Sequence, residues 1–294
     1  MEPLDLVKLT ALMARTSGSP EVKIGLIDGP VAAQHPDLAS EHLREISGKN
    51  SATCTQANST ACLHGTFVAG ILFAKRNSPA PAICPNCTLL IRSIFTEATV
   101  GSEQMPSATP KELAAAIIEC IDAGAQVINL SLALAQPSTK EEQTLEEALN
   151  QAVRRGVIVV AAAGNQGTLG SSAITRHPWT IPVVGCDRLG RPTNESNLGS
   201  SIGRRGLSAP GDGITSLGAE GQSLTLGGTS VAVPFVTGTI ALLWSEFPTA
   251  TAAQIKLAIT QAFIPRRASV VPPLLDATMA YQMLLTTNER RQIV

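Results

Sequence analysis

Six short apolar runs constrain this chain most: Val22–Ile27, Leu89–Phe95, Val127–Leu132, Val157–Ala162, Ile181–Gly185 and Leu207–Ala209. They have strand length and do not alternate apolar with polar, so each needs cover on both faces. The segments between them carry helical period. His64–Ala74 places Phe67, Val68, Ile71 and Leu72 on one helix face. Pro110 suits the first turn of a helix running to about Asp122, before Gly124. Glu141–Arg155, Thr229–Phe247 (despite Pro234) and Ala252–Phe263 are also helical by period. This alternation predicts an α/β fold with a mostly parallel twisted sheet and helices on both faces. No internal repeat or low-complexity linker divides the 294 residues, so one domain over 1–294 is expected. Lys49–Ala61 and Thr96–Thr109 are polar and read as surface loops.

Composition removes several functions. Net charge is −1 with no Lys/Arg-rich block, which offers no footprint for nucleic acid or an anionic membrane. Aromatic residues are only 3%, too few for a base-stacking platform. The longest apolar stretches, Gly156–Gly164 and Val231–Trp244, are too short or interrupted to span a bilayer. Met1-Glu2-Pro3-Leu4-Asp5 is acidic and begins no export signal, so a soluble, cytoplasmic protein is expected. Gly164–Gly170 and Gly199–Gly213 hold neither a P-loop nor G-x-G-x-x-G between strand and helix, which argues against a nucleotide enzyme and implies no cofactor.

Six cysteines divide into two groups. Cys120 and Cys186 sit in apolar surroundings and read as small core residues. Cys54 and Cys62 lie in a polar segment, and Cys84-Pro85-Asn86-Cys87 is a C-x-x-C. These four are open to local disulfides, a zinc site or free thiols. Only one of the two pairs has knuckle-like spacing, so local disulfides are the expectation and no metal is assigned.

Ligand and catalytic sites of open α/β sheets collect at the carboxyl ends of the strands. Four residues meet that rule: Asp28 after the first strand, His64 and Ser230 at helix starts, and Asn165 after Ala161-Ala162-Ala163-Gly164. Each has a plain explanation. Asp before Gly-Pro forms turns, His opens exposed first turns, a Thr-Ser pair caps helices, and Asn after Gly tolerates positive φ. Their joint occurrence, each at a strand end or helix start, is harder to explain that way. His35 beside Pro36, His42 in a polar stretch and His177 before Pro178 compete poorly with His64.

With these blocks the chain resembles the subtilisin-like serine proteases. The matching segments are Ile27-Asp28-Gly29 with His35-Pro36-Asp37-Leu38, His64 to Gly70, Val127 to Leu132, Ala163-Gly164-Asn165, and Gly228-Thr229-Ser230-Val231-Ala232-Val233-Pro234. The order Asp, His, Ser is that of subtilisin. The resemblance implies a Ser230 nucleophile, His64 as general base and acid, Asp28 as orienter, and Asn165 as oxyanion donor. It implies a peptide substrate paired along Leu130–Leu134, with Ser131, Leu132, Ala133 and Gly164 at the binding site.

The chain also departs from that family. Ala133-Leu134 replaces a usual Gly pair, Lys75–Ile83 holds no carboxylate for the family's calcium loop, and with the first block about twenty residues from Met1 no prodomain is expected. Asp28-Gly29-Pro30-Val31 and the cysteines before the second strand are similar to the cyanobactin maturation proteases, which remove leaders from ribosomal precursor peptides or cyclise them. Cyclisation needs a lid that excludes water, and Thr96–Thr109 has little apolar surface for one, so hydrolysis is expected. The alternatives are a macrocyclase on the same fold and a binding module that has lost its chemistry.

Overall fold

The computed structural model describes residues 1–38, 40–97, 108–132, 139–261 and 269–292. Its strands are β1 (Lys23–Asp28), β2 (Leu43–Glu45), β3 (Thr88–Ser93), β4 (Val127–Leu130), β5 (Ile158–Ala162), β6 (Ile181–Cys186), β7 (Leu207–Pro210), β8 (Ile214–Leu217) and β9 (Ser223–Leu226). Its helices are α1 (Pro3–Leu6), α2 (Leu9–Arg15), α3 (Thr60–Phe73), α4 (Pro110–Asp122), α5 (Thr139–Arg155), α6 (Ala173–Arg176), α7 (Ser200–Arg205), α8 (Thr229–Glu246), α9 (Ala252–Gln261) and α10 (Ala277–Gln292).

β1 to β7 form one parallel sheet in the order β2-β3-β1-β4-β5-β6-β7, and β8 and β9 form an antiparallel hairpin beside it. The apolar runs become its buried strands because each serves two cores. Ile24, Leu26, Val127, Ile158, Val160 and Ala162 enter one core with α8. Their neighbours Ile27, Ile128, Leu130, Val159 and Ala161 enter the other with α4 and α5. Period-two alternation within an all-apolar run is thus hidden in the sequence and visible in the packing.

α8 is buried around nearly its whole circumference from Thr229 to Trp244, since it packs under β4, β5, β6 and β7. Thr237 and Thr239 can lie in it because their hydroxyls donate to Asn129 and to the Phe235 carbonyl. Chain order reverses between β1 and β4, which puts a crevice at the carboxyl ends of those two strands.

The start of the His64 helix differs from the sequence-based expectation. The His64 helix begins at Thr60, where the Ser59 hydroxyl caps it by accepting from the Cys62 N–H at 3.2 Å. His64 is therefore in the second turn and buried, not an exposed first-turn residue. Lys49–Ala61 is accordingly part loop, part helix start. α4 begins at Pro110 as expected, closed by a Thr109/Glu112 capping box. Most of Thr96–Thr109, together with Ala133 and Leu134, lies outside the described residues.

Candidate active site

β1 delivers Asp28 at its carboxyl end, fully buried. The next residue, Gly29, runs against α3 so closely that a Cβ there would lie 2.0 Å from the Ala61 carbonyl oxygen. A Cβ on Gly65 would lie 2.4 Å from the Pro30 oxygen and 2.5 Å from the Gly29 oxygen. Only glycine at both positions lets the helix descend onto the turn. That approach places His64 Nδ1 2.7 Å from Asp28 Oδ1, which also accepts from the Gly29 N–H at 2.6 Å. A carboxylate only accepts, so Nδ1 carries the proton and Nε2 keeps its lone pair. Burial opposes charge on the imidazole, but the Asp28 charge and hydrogen bond outweigh it and raise the His64 pKa above the usual 6.5.

Ser230 is the second residue of α8. The bend that presents it is Gly228, whose φ of +119° a side chain would strain and whose Cβ would lie 2.9 Å from Asn165 Nδ2. No side chain caps this helix. Thr229, read as part of a capping pair, instead turns to Asn165: its N–H donates to Asn165 Oδ1 at 2.9 Å and its hydroxyl at 2.8 Å. A backbone N–H can only donate, so the amide orientation of Asn165 is settled and Nδ2 is the end left for another acceptor. With the Thr229 N–H taken by Asn165 and the Val231 N–H by the Gly228 carbonyl, the Ser230 N–H remains a first-turn donor without a helical partner. Asn165 itself does not need positive φ; Gly164 carries it, at +106°.

These groups meet in one cavity of about 620 Å³ that includes His64, Ser131, Gly164, Asn165 and Ser230. Its remaining walls are mostly apolar, with Leu63, Phe95, Leu132, Leu224, Leu226 and Val231. Leu224 and Leu226 come from the β8–β9 hairpin, a segment whose sequence predicts no strand by an apolar run. Ser131 reaches the cavity at the end of β4, but its side chain is 1% exposed and turned inward. Leu132 and Gly164 line the cavity, and Ala133 falls outside the described residues.

Two of the other three histidines, His35 and His177, are occupied elsewhere. His35 accepts the Asp37 N–H, and His177 lies between Asn150 and the Trp179 N–H. Neither hydrogen-bonds a carboxylate among the described residues. Cys54 and Cys62 form a disulfide, whereas Cys84 and Cys87 are reduced and buried. The local-disulfide expectation therefore holds for one pair and fails for the other. Glu97 is near enough to Cys54 and Cys62 for the three to share a metal, but both sulfurs are spent on the disulfide and the carboxylate already accepts from Thr55 and Gln56. Cys120 and Cys186 are core residues, and burial pushes both thiols upward, Cys186 to about 12. Among the described residues no helix is long and apolar enough to cross a membrane.

Relatives fit this geometry. Subtilisin DY from Bacillus licheniformis is 29% identical over 255 residues, covering 86% of this chain and 87% of the relative. A thermophilic serine proteinase from Bacillus sp. (strain AK1) is 34% identical over 79% of this chain and 54% of its own length. The chain thus spans nearly all of one curated relative and about half of another. Among solved structures, the protease domain of PatA superposes with a TM-score of 0.82 at 27% identity, covering 92% of this chain and 97% of that one. The prenylagaramide maturation protease PagA gives 0.80 at 26%, covering 94% and 98%. The PatG macrocyclase domain gives 0.82 at 20% identity over 97% and 98%, a likeness of fold. The subtilase family model matches residues 19–284. With the parallel sheet, and an Asp28-bonded histidine lining one cavity with a serine, the chain belongs to the subtilase family and is a subtilisin-like serine endopeptidase.

Proposed function

We propose that this endopeptidase cuts a ribosomally made precursor peptide, removing its leader by hydrolysis through an acyl-enzyme on Ser230. The observation that carries the catalytic part is the Thr229 clamp on Asn165 together with the Asp28–His64 pair, since these bonds fix a donor and a base in the cavity that Ser230 also lines. His64 Nε2 takes the Ser230 hydroxyl proton as Oγ attacks the scissile carbonyl. The new oxyanion receives the Asn165 Nδ2–H and the Ser230 N–H, where the N-terminal end of the 18-residue α8 also favours negative charge. His64, now imidazolium and held by Asp28, gives the proton to the leaving amine; water then repeats the cycle on the ester.

The precursor-peptide reading draws on the likeness to PatA and PagA, the latter a maturation protease by name. The apolar cavity walls suit substrates with apolar side chains flanking the cut. Incubation of a leader-bearing precursor peptide in ¹⁸O-labelled water tests it: cleavage at one position between leader and core, with one heavy oxygen on the new C-terminus, is expected. Cleavage scattered through the peptide and through unrelated proteins would overturn the precursor role. An unlabelled product one water lighter than the linear peptide would favour macrocyclisation instead.

A further inference from the structure

The inward turn of Ser131 has a partner that the chemistry above does not use. In an α-helix the carbonyl of residue 230 accepts from the N–H of residue 234. Here residue 234 is Pro234, which has no N–H and whose ring crowds that same carbonyl. The Ser230 carbonyl is therefore deprived of its helical partner at the residue whose side chain must attack. Ser131 Oγ supplies the replacement, donating to the Ser230 oxygen at 2.8 Å.

The remaining bonds are then fixed in direction. Ser131, having given its proton, accepts from Asn129 Nδ2 at 2.8 Å, and Asn129 Oδ1 accepts from the Thr237 hydroxyl at 2.9 Å. Asn129, Ser131 and Thr237 are each at most 1% exposed, so water competes for none of these bonds. The relay begins two turns along α8, crosses the end of β4 and returns to the first turn of α8. It ties the helix to the strand at two points.

We propose that Ser131 and Asn129 are positioning residues of the reaction. They hold the Ser230 carbonyl, and so set where the Ser230 Oγ and N–H stand relative to His64 and Asn165. Pro234 is the cause of the requirement. This rests on the reading of Ser230 as nucleophile, and the experiment separates the two.

Second-order labelling of Ser230 by a fluorophosphonate, and kcat and KM on a peptide, are measured at 25 °C for Ser131→Ala, Pro234→Ala, their combination, Thr237→Val and Ser230→Ala. Loss of a buried carbonyl's partner predicts that Ser131→Ala slows labelling and kcat about 10-fold to 100-fold, with KM within about twofold. The pH midpoint of kcat/KM stays in place, because the relay does not touch His64. Pro234→Ala restores an N–H at position 234, so the combined variant recovers to within about fivefold of wild type. A merely structural role would lower the melting temperature and leave these rates unmoved. Labelling of Ser131→Ala within twofold of wild type, or no recovery in the combined variant, overturns the proposal. Should Ser131→Ala fail to fold, Thr237→Val decides: a loss of about 2-fold to 10-fold supports the relay and an unchanged rate overturns it. Retained turnover in Ser230→Ala would instead refute the nucleophile reading.

Discussion

Replacing Asn165 by alanine removes one donor from the site while leaving Asp28, His64 and Ser230 in place. Asn165 is exposed, so no core is opened, and its Oδ1 is held by two donors from Thr229 at 2.9 and 2.8 Å. The amide thus stands oriented before substrate arrives, and its reorganisation cost is already met. Losing one such oxyanion donor costs about 2.7–4 kcal/mol of transition-state stabilisation, or about 10²–10³ in kcat. The ground-state carbonyl makes a weaker bond, so KM is expected to stay within about threefold. Thr229→Val keeps the backbone donor to Asn165 and removes the hydroxyl one, a neutral bond worth about 0.5–1.5 kcal/mol, so kcat should fall only about 2-fold to 13-fold. Stopped-flow release of a chromogenic leaving group from a peptide ester and its matching amide reads both steps. A loss below tenfold in Asn165→Ala, or one carried by KM alone, would refute the assignment of Nδ2 to the oxyanion.

The pH dependence has a definite sign: the proposed general-base role needs neutral His64, whose pKa is raised, so kcat/KM is expected to climb with pH through a midpoint above the usual 6.5. Asp28→Asn removes the charge that raises it, so the midpoint should drop and kcat fall about 10⁴-fold, as expected when the imidazole loses its orienting carboxylate; a flat profile from pH 5 to 8 would count against the base. Because a carboxylate partner stabilises the folded imidazolium, the Asp28–His64 pair adds stability below the unfolded histidine value that is lost as pH rises through the folded one. The Cys54–Cys62 disulfide spans a sequence separation of 8 just before and within α3, and its chain-entropy contribution is about 2.5 kcal/mol. Cys54→Ser/Cys62→Ser should lower the melting temperature by about 5 °C or more, and native alkylation without reductant should mark none of the four buried thiols. Gly65→Ala pushes α3 away from the Gly29–Pro30 turn, costing about 1–3 kcal/mol of stability; kcat should fall with it, and wild-type kinetics would contradict the close-approach argument.

The sheet was legible from the sequence because its strands are buried on both faces, which leaves uninterrupted apolar runs such as Val157–Ala162. Asp28, Asn165 and Ser230 were legible because each falls where such a run ends or a buried helix begins. What was hidden has physical reasons. Ser59 gives no sign of capping α3, since the polar segment before it reads as loop, and so His64 appeared one turn too near the helix start. The β8–β9 hairpin is announced only by the short alternation Ser223-Leu224-Thr225-Leu226 behind a glycine-rich stretch, although its leucines wall the cavity. α10 carries three Thr and mixes polar with apolar residues without a clear face, and it gains its place by packing on α2 and α9, a tertiary effect. The resemblance implied a substrate-strand place for Ser131, but the bond from its side chain to the Ser230 carbonyl, four residues before Pro234, joins positions about a hundred residues apart and is legible only in the fold. Cys84 and Cys87 share a C-x-x-C spacing that suits a disulfide as well as the two reduced thiols found.

The proposed chemistry depends on Ser230 acting as a nucleophile activated by His64. Mass spectrometry of the intact protein and its peptides after fluorophosphonate treatment, at pH 5.5 and pH 8.5, measures this directly. One adduct on Ser230 is expected, forming much faster at the higher pH and absent from His64→Ala. A peptide-cleaving preparation that carries no adduct on Ser230, or one whose Ser230 labels equally fast without His64, would contradict it.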